Sequence, residues 1–213
     1  MKRSEVNRYI REAVTFFAEH KVLLPPWAFW SPAEWAKKGA ECREIKECGL
    51  GWDITDFGSG NFEHTGLFLF TVRNGKFQSP DFTKTYAEKI MIVREKQITP
   101  IHFHWKKTED IINRGGGILN IQLWKASGNE GLSNDCFSVS TDGVARQLKG
   151  GDIISLAPGE SITLEPYVYH TFHAEKAMTL VGEVSTANDD KNDNRFFKPV
   201  SLSATIGLSA VME

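Results

Sequence analysis

The chain has 213 residues, with 25 Lys and Arg against 27 Asp and Glu, and its formal net charge is −2. Neither sign forms a long block, which argues against nucleic acid or a membrane surface as a partner. The amino terminus lacks the apolar core of a signal peptide, and no apolar run approaches the ~20 residues of a membrane helix. Its three cysteines cannot pair completely, so we expect reduced thiols and a cytoplasmic protein.

The first fifty residues predict an amino-terminal helical cap. Between Ser4 and Lys21 apolar residues recur at helical spacing, and a Pro-Pro pair ends this amphipathic helix. A second short helix is predicted with Ser31 as N-cap, Pro32 at the first helical position and Gly39 as its stop. Four aromatic residues of the cap either pack the helices against a sheet or stack on a ligand such as a sugar: Trp27, Phe29, Trp30 and Trp35.

From residue 51 onward the sequence predicts short strands separated by turn signals. These strands are predicted at 52–57, 65–73, 87–94, 98–105, 118–126, 137–140, 144–148, 151–156, 161–165, 169–173 and 179–185. Asn74 with Gly75, and Asp142 with Gly143, are hairpin signals. Because no helices intervene, the pattern favours an antiparallel sandwich or barrel. The length fits a single domain, 1–213, with the cap at 1–50 and the barrel at 51–213.

One cluster of histidines predicts a metal site. In an extended strand His102 and His104 share a face, with the intervening residue on the other side. Glu109 follows a polar stretch long enough to turn the chain into the next strand, from which its carboxylate reaches back. His170, in a later strand, is the predicted fourth ligand, whereas His173 has the opposite parity and is predicted to be structural. An H-x-H pair is a weak motif alone, but this combination suits Zn, Fe or Mn(II).

The same residues carry a family resemblance. The spacing of the H-x-H pair, Glu109 and Gly116 resembles the first cupin motif, and His170 falls at the histidine of the second. Residues 88–90, 182–185, 188–190 and 193–197 resemble the D-lyxose isomerase family, and the likeness extends over nearly the whole chain. The resemblance implies an all-β fold, a cupin-type antiparallel double-sheet jelly-roll barrel with short N-terminal helices.

The resemblance also implies a reaction. It predicts a metal-dependent aldose-ketose isomerase that interconverts D-lyxose and D-xylulose, with D-mannose and D-fructose as a further pair. Three imidazoles and a carboxylate leave about two octahedral positions open for a chelating substrate. A metal at O1 and O2 would stabilise an enediolate while a base moves a proton between C1 and C2. Mn²⁺ is the expected ion, although Fe, Co and Zn fit the same ligands.

Lys89 and Glu183 are the candidate acid and base. Lys89 shares a strand face with Met91 and Val93, so it either reaches solvent from an edge strand or lies buried in a site. Glu183 stands in an apolar strand, where a carboxylate is costly to bury unless it is paired or functional. The pattern leaves a structural role open for both residues. With the resemblance, Glu183 is the predicted proton shuttle and Lys89 the predicted donor to oxygen, and the two roles could be exchanged.

The polar run 189–194 would by itself be read as a surface loop. The resemblance assigns Asp190, Asp193 and Arg195 to binding the sugar hydroxyls or to ordering the pocket. A free sugar is favoured as substrate, while Lys106 and Lys107 keep a phosphorylated sugar as an alternative.

Two other function classes stay open at this point. An iron-dependent cupin dioxygenase would use a similar histidine site. A non-enzymatic sugar-sensing cupin would need an output module, and the sequence shows no DNA-binding element. An exposed aromatic face on the amino-terminal helices would support a homodimer.

Overall fold

A computed structural model describes residues 1–201 of the chain. The helices are α1 (Arg3–Glu19), α2 (Pro32–Trp35) and α3 (Arg43–Glu47), with 3₁₀ turns at Pro26–Phe29 and Ala40–Cys42. The first six strands are β1 (Gly51–Thr55), β2 (Leu67–Arg73), β3 (Tyr86–Val93), β4 (His102–His104), β5 (Glu109–Ala126) and β6 (Leu132–Ser133). The last six are β7 (Cys136–Thr141), β8 (Val144–Lys149), β9 (Ile153–Leu156), β10 (Ser161–Leu164), β11 (Val168–Thr186) and β12 (Asn194–Phe196).

The strands form one antiparallel system, which confirms the predicted all-β class. The main order is β1-β2-β3-β11-β5-β10-β7-β8, while β4 joins β11 to β12, and β6 and β9 pair with β5. The two long strands β5 and β11 run side by side through the centre. Side chains on one face of this curved sheet fill the interior, and a cluster that includes Ile121, Leu123 and Val181 forms the main core.

Helix α1 covers the outer face of the sheet, as its apolar stripe predicts. Val6, Ile10 and Phe17 are buried on this side, and the ring of Phe17 stacks on Trp52 of β1 with centroids 6.1 Å apart. This second cluster joins the cap to the sheet and supports our proposal that the chain forms one domain. Within residues 1–201, no helix combines the length and apolar character needed to cross a membrane.

The second helix has the predicted start and an earlier end. The hydroxyl of Ser31 accepts from the backbone N–H of Glu34, and the Glu34 carboxylate accepts from the backbone N–H of Ser31. This capping box is followed by a single turn that ends at Trp35 instead of continuing to Gly39. The helix is short because the next residues close i to i+3 hydrogen bonds, such as Lys38 to Trp35.

Three of the four cap aromatics, Trp27, Trp30 and Trp35, pack within the protein, whereas Phe29 is exposed, and none of the four lines the central cavity described below. Trp27 stacks on Phe70 with ring centroids 5.0 Å apart. Trp30 and Trp35 meet edge to face at the same distance. Of the two roles that the sequence left open, packing is therefore the one observed for these rings.

The two hairpin signals have different outcomes. Asp142 and Gly143 form the predicted two-residue turn between β7 and β8, with φ of 50° and 81°. Asn74 and Gly75 instead begin a long connection, residues 74–85, between β2 and β3. A Cβ on Gly75 would lie 1.7 Å from the carbonyl oxygen of Lys84, so this glycine permits a close backbone approach.

Strand lengths also differ from the prediction. The predicted strand 98–105 is reduced to β4, and the strand at 118–126 extends back to Glu109. The predicted strands at 169–173 and 179–185 are parts of the single strand β11. These changes place Glu109 at the start of β5, beside β10 and β11.

Candidate active site

The structure brings three of the predicted ligands together through strand pairing. His102 and His104 share a face of β4, and His170 of β11 is the register partner of His102. One ligand nitrogen from each of these histidines lies within 4.8 Å of the others. His173 lies near Asn120, with 3.4 Å between ring and amide nitrogens, and is not part of this cluster. This agrees with the sequence prediction, because His173 is an odd number of positions from His170 and the two side chains of a strand then point to opposite faces.

Backbone carbonyl groups fix the orientation of each imidazole. In every case Nδ1 lies within hydrogen-bond distance of a backbone oxygen, which leaves Nε2 free to bind a metal. The distances are 2.8 Å from His102 to Pro100, 3.2 Å from His104 to Asp193 and 3.1 Å from His170 to Val168. The rings are therefore preorganised as ligands.

Glu109 completes the cluster with a carboxylate. Its Oε1 lies 3.5 Å from Nε2 of His104 and 3.3 Å from Nε2 of His170, and the residue is buried. Burial by itself raises the pKa of Glu109, but the ammonium of Lys107 and the neighbouring His104 and His170 together outweigh it and hold this pKa well below the usual value. Glu109 is thus an anionic carboxylate at neutral pH.

The electrostatics of the histidines suit a divalent ion. Burial lowers the pKa of His170 to about 4 and that of His102 well below its ordinary value. Both imidazoles are neutral at pH 7, which is the form that binds metals. Three imidazoles and one carboxylate fit Mn, Fe, Co or Zn.

Lys107 is a buried site residue whose position the sequence did not predict. Its Nζ lies 2.6 Å from Oε2 of Glu109 and 3.1 Å from Oε1 of Glu183. Burial lowers the pKa of Lys107, but the neighbouring carboxylates raise it by more, so the side chain is an ammonium. The available signal was its spacing, because Lys107 precedes Glu109 by two residues and an extended chain gives both the same face.

The predicted acid and base meet in the same charged cluster. Glu183 pairs with Lys89 in the β11–β3 register, and Nζ of Lys89 lies 3.3 Å from its Oε1. Asn188 adds an acceptor, since its Oδ1 lies 2.9 Å from Nζ of Lys89 and 3.4 Å from Nζ of Lys107. Glu183 therefore sits between two ammonium groups, and all three side chains are buried.

A cavity of about 470 Å³ connects the histidines to this cluster. Asp190 lines the cavity with its carboxylate half exposed, and its Oδ1 lies 3.6 Å from Nζ of Lys89. The side chains of Lys89 and Glu183 line the same space. The predicted acid and base, Lys89 and Glu183, thus line the same cavity as the candidate metal centre.

Asp193 orders the loop around the site. Its carboxylate accepts hydrogen bonds from the backbone N–H groups of Lys106 and Lys107, both at 2.9 Å. Its backbone oxygen is the partner of Nδ1 of His104. Of the two roles predicted for Asp193, these contacts favour ordering the pocket over contacting the sugar.

The structure does not bring Arg195 to the cavity. In β12 it pairs with Phe103 of β4, so its side chain lies on the face opposite His104. Its Nε donates to Glu130 at 2.8 Å. The sequence suggested a loop here, whereas the observed strand alternates its side chains. The cavity is lined instead by the two neighbours of Arg195, Asn194 and Phe196.

Comparisons with known proteins identify relatives of this chain. Residues 1–208 match the family described as D-lyxose isomerase. A D-lyxose/D-mannose isomerase of Escherichia coli O157:H7 is 48% identical over 203 residues, which cover 94% of this chain and 89% of the relative. One from Serratia proteamaculans is also 48% identical, over 97% of this chain and 92% of the relative.

Solved structures with similar folds are L-ribose isomerases. The unliganded Cellulomonas parahominis enzyme has a TM-score of 0.63 at 15% identity and covers 97% of both chains. The Acinetobacter sp. DL28 mutant enzyme in complex with L-ribose has a TM-score of 0.62 at 12% identity, covering 95% of this chain and 94% of that chain. These likenesses support the predicted cupin-type fold. The sequence match shows the family and favours a sugar isomerase over the dioxygenase and the sensor that the sequence left open. The chain therefore belongs to the D-lyxose isomerase family and is a sugar isomerase.

Proposed function

We propose that this enzyme interconverts D-lyxose and D-xylulose at a divalent metal, with D-mannose and D-fructose as a further substrate pair. The observation that carries the proposal is the shared cavity, where the His and Glu cluster adjoins Glu183 and its two lysines. The names of the two relatives that are 48% identical support these substrates.

His102, His104, Glu109 and His170 are the proposed metal ligands. We propose Mn²⁺ as the physiological ion, and Fe, Co and Zn would accept the same donors. A bound ion would supply Lewis acidity toward the two oxygens of the substrate that exchange carbonyl and hydroxyl roles. The carbonyl contacts on each Nδ1 would hold the ligands in place before binding.

Glu183 is the proposed base that removes the proton from C2 and returns it to C1. Its carboxylate faces the cavity and is oriented by contacts with Lys89 and Lys107. Lys107 stays protonated because of the surrounding carboxylates, so it serves as a hydrogen-bond donor and not as the base. Lys89 is the second proposed donor to a sugar oxygen. Of the two roles that the sequence left exchangeable, the proposal gives that of base to Glu183 and that of donor to Lys89.

The first experiment is anaerobic incubation of the Mn-loaded protein with D-lyxose in deuterated water, followed by proton NMR. We expect D-xylulose to form without oxygen and to carry deuterium at C1, as an enediol route requires. Product without deuterium would favour hydride transfer. Absence of conversion of any aldose, together with oxygen uptake on other substrates, would replace isomerisation by dioxygenase chemistry.

Substitutions distinguish the proposed metal ligands from the proposed base. His170→Gln should lose bound metal and turnover together, whereas Glu183→Gln should keep its metal and lose turnover by about 100-fold or more. Glu88→Gln is the matched control, because Glu88 lies next to Lys89 on β3 but pairs with Arg73 outside the cavity. Normal turnover in Glu183→Gln would remove Glu183 from the role of base.

We also propose a cytoplasmic homodimer. Leu23, in the connection after α1, and Phe29, in the following 3₁₀ turn, are exposed apolar side chains that suit a contact between copies. Sedimentation of the purified protein tests the dimer, and a monomer at all concentrations would contradict it.

A further inference from the structure

Two side-chain oxygen atoms of residues that line the cavity are buried and have no hydrogen-bond partner. They are Oδ1 of Asp53 and Oδ1 of Asn194. Among residues 1–201, one other buried side-chain oxygen or nitrogen lacks a partner, Oδ1 of Asn7 in α1. Buried acceptors are normally paired, so two orphaned acceptors in one chamber indicate that a ligand supplies their donors.

Strand pairing turns both side chains toward the interior. Asp53 of β1 pairs with Leu69, which in turn pairs with Met91, and both of these partners belong to the interior core. Asn194 of β12 pairs with His104 of β4 and so shares the face of that histidine. The chain segments that carry the two acceptors approach each other, as the rings of Phe57 and Phe196 lie 5.9 Å apart.

The amide of Asn194 has a fixed orientation. Its Nδ2 donates to the backbone oxygen of Asp190 at 3.0 Å, so Oδ1 is the atom left for the cavity. When it is ionised, the carboxylate of Asp53 also accepts hydrogen bonds. Burial and the nearby charge of Asp190 raise the pKa of Asp53 to about 6, although Lys89 opposes them. The opposing contributions of Lys89 and the backbone N–H of Ile54 therefore do not offset the cost of burying this carboxylate.

We propose that Asp53 and Asn194 bind hydroxyl groups of the open-chain sugar on carbons remote from C1 and C2. The proposal rests on the isomerase function proposed above and identifies the part of the substrate that Asp53 and Asn194 recognise. Hydroxyl groups are the donors that such acceptors need, and a sugar presents one on nearly every carbon. A terminal phosphate would bring negative charge toward Asp53 and Asp190. The site therefore selects unphosphorylated sugars.

Asp53→Leu is the principal test, because it replaces the carboxylate by an apolar group of similar shape. An unpartnered buried carboxylate does not hold the fold together, so we expect the variant to be at least as stable as the wild type. KM for D-lyxose should rise about 10-fold or more, as for a lost hydrogen bond to a charged group, while kcat changes by less than about threefold. Asn194→Ala should change KM in the same direction.

A direct binding measurement supplies the second readout. Calorimetric titration of the metal-loaded proteins with D-arabinitol, an unreactive sugar alcohol, should show the same loss of affinity in Asp53→Leu and none in Glu88→Gln. D-mannose 6-phosphate should be a poorer substrate than D-mannose for the wild type. If Asp53→Leu misfolds, Asp53→Ala measured in the same two assays replaces it.

The outcomes separate the two proposals. Unchanged KM and unchanged arabinitol affinity in both Asp53 and Asn194 variants would overturn the binding role and leave the isomerase function intact. Preference for the phosphorylated sugar would also overturn it. A wild-type protein that converts no sugar and binds no sugar alcohol would overturn the isomerase function and this inference together.

Discussion

A single ammonium group connects the candidate metal centre with the proposed base. Nζ of Lys107 lies within 3.1 Å of both Glu109 and Glu183, and the three side chains are buried. Two carboxylates so close together in a buried site would repel each other without this cation. Lys107 therefore supplies a positive charge that is shared by Glu109 of the candidate metal centre and Glu183, the proposed base.

Lys107→Met tests this connection. We expect kcat to fall by about 100-fold or more, because the hydrogen-bond donor to the sugar is lost. The free energy of unfolding should fall by about 3 kcal/mol, since two buried carboxylates lose their partner. Lys106→Met is the matched control, because Lys106 is exposed and lies over the ring of Phe77. Equal kcat values for the two variants would contradict a role for Lys107 in catalysis.

Arg195 provides a test in the opposite direction. Its guanidinium binds Glu130 on the outer face of β12, so Arg195→Met should leave KM for D-lyxose within about threefold of the wild type. The free energy of unfolding should change by about 1 kcal/mol at most, as for exposed ion pairs. Steady-state kinetics and urea unfolding check both values. A 10-fold increase in KM would restore Arg195 to the binding set.

At the scale of single elements, β11 presents residues from two distant parts of its length to one cavity. His170 and Glu183 are an odd number of positions apart, so a regular strand would point them to opposite faces. Register shifts between Glu175 and Thr179, and between Leu180 and Val181, change the phase. The sequence predicted both halves as strands, but their relative phase depends on bulges that alternation alone does not reveal.

Gly116 of β5 lies opposite this irregular part of β11. It pairs with Thr179, has φ of 92°, and a Cβ would lie 2.2 Å from the backbone oxygen of Met178. Gly116→Ala should therefore lower the free energy of unfolding and also reduce kcat, because β11 must shift where it carries Glu183.

Gly143→Ala is the control for backbone conformation. Gly143 has φ of 81° in the β7–β8 turn, but no atom lies within 4 Å of an added Cβ. It should cost about 1 kcal/mol, the penalty for a left-handed residue, with normal kcat. Gly116→Ala should cost at least about 2 kcal/mol more in urea unfolding, as for a steric clash. Equal losses would show that the close approach of β5 and β11 is unimportant.

At the scale of the whole molecule, local patterns predicted more than long-range ones. The H-x-H pair, the strand alternation and the Asp142 turn are decided by neighbours in sequence, and they are observed. The contact of Lys107 with Glu183 joins residues far apart in sequence, and the side on which Arg195 lies depends on β12 pairing with β4. Such contacts follow from closure of the barrel, which residue patterns do not specify.

Buried histidines should also make the metal-free protein sensitive to mild acid. Between pH 6.5 and 5 the unfolded chain takes up protons at positions 102 and 170, whereas folded His170 has a pKa of about 4 and His102 also resists protonation. The unfolded state then binds more protons, so stability falls as pH falls, by about 2 kcal/mol for His170 alone. Glu109 adds little slope here, because its lowered pKa keeps it ionised in the folded state and an unfolded Glu, with a pKa of about 4.3, is still mostly ionised.

Asp53 acts in the opposite direction and gives the internal control. Its folded pKa of about 6 lies above its unfolded value, so below pH 6 the folded state takes up the extra proton and gains stability. Thermal unfolding of the chelator-treated wild type should show Tm falling by about 5 °C or more from pH 7 to pH 5. Asp53→Leu lacks the opposing proton uptake, so its Tm should fall more steeply below pH 6. A Tm that is constant or rises toward pH 5 would contradict the neutral state of the buried histidines.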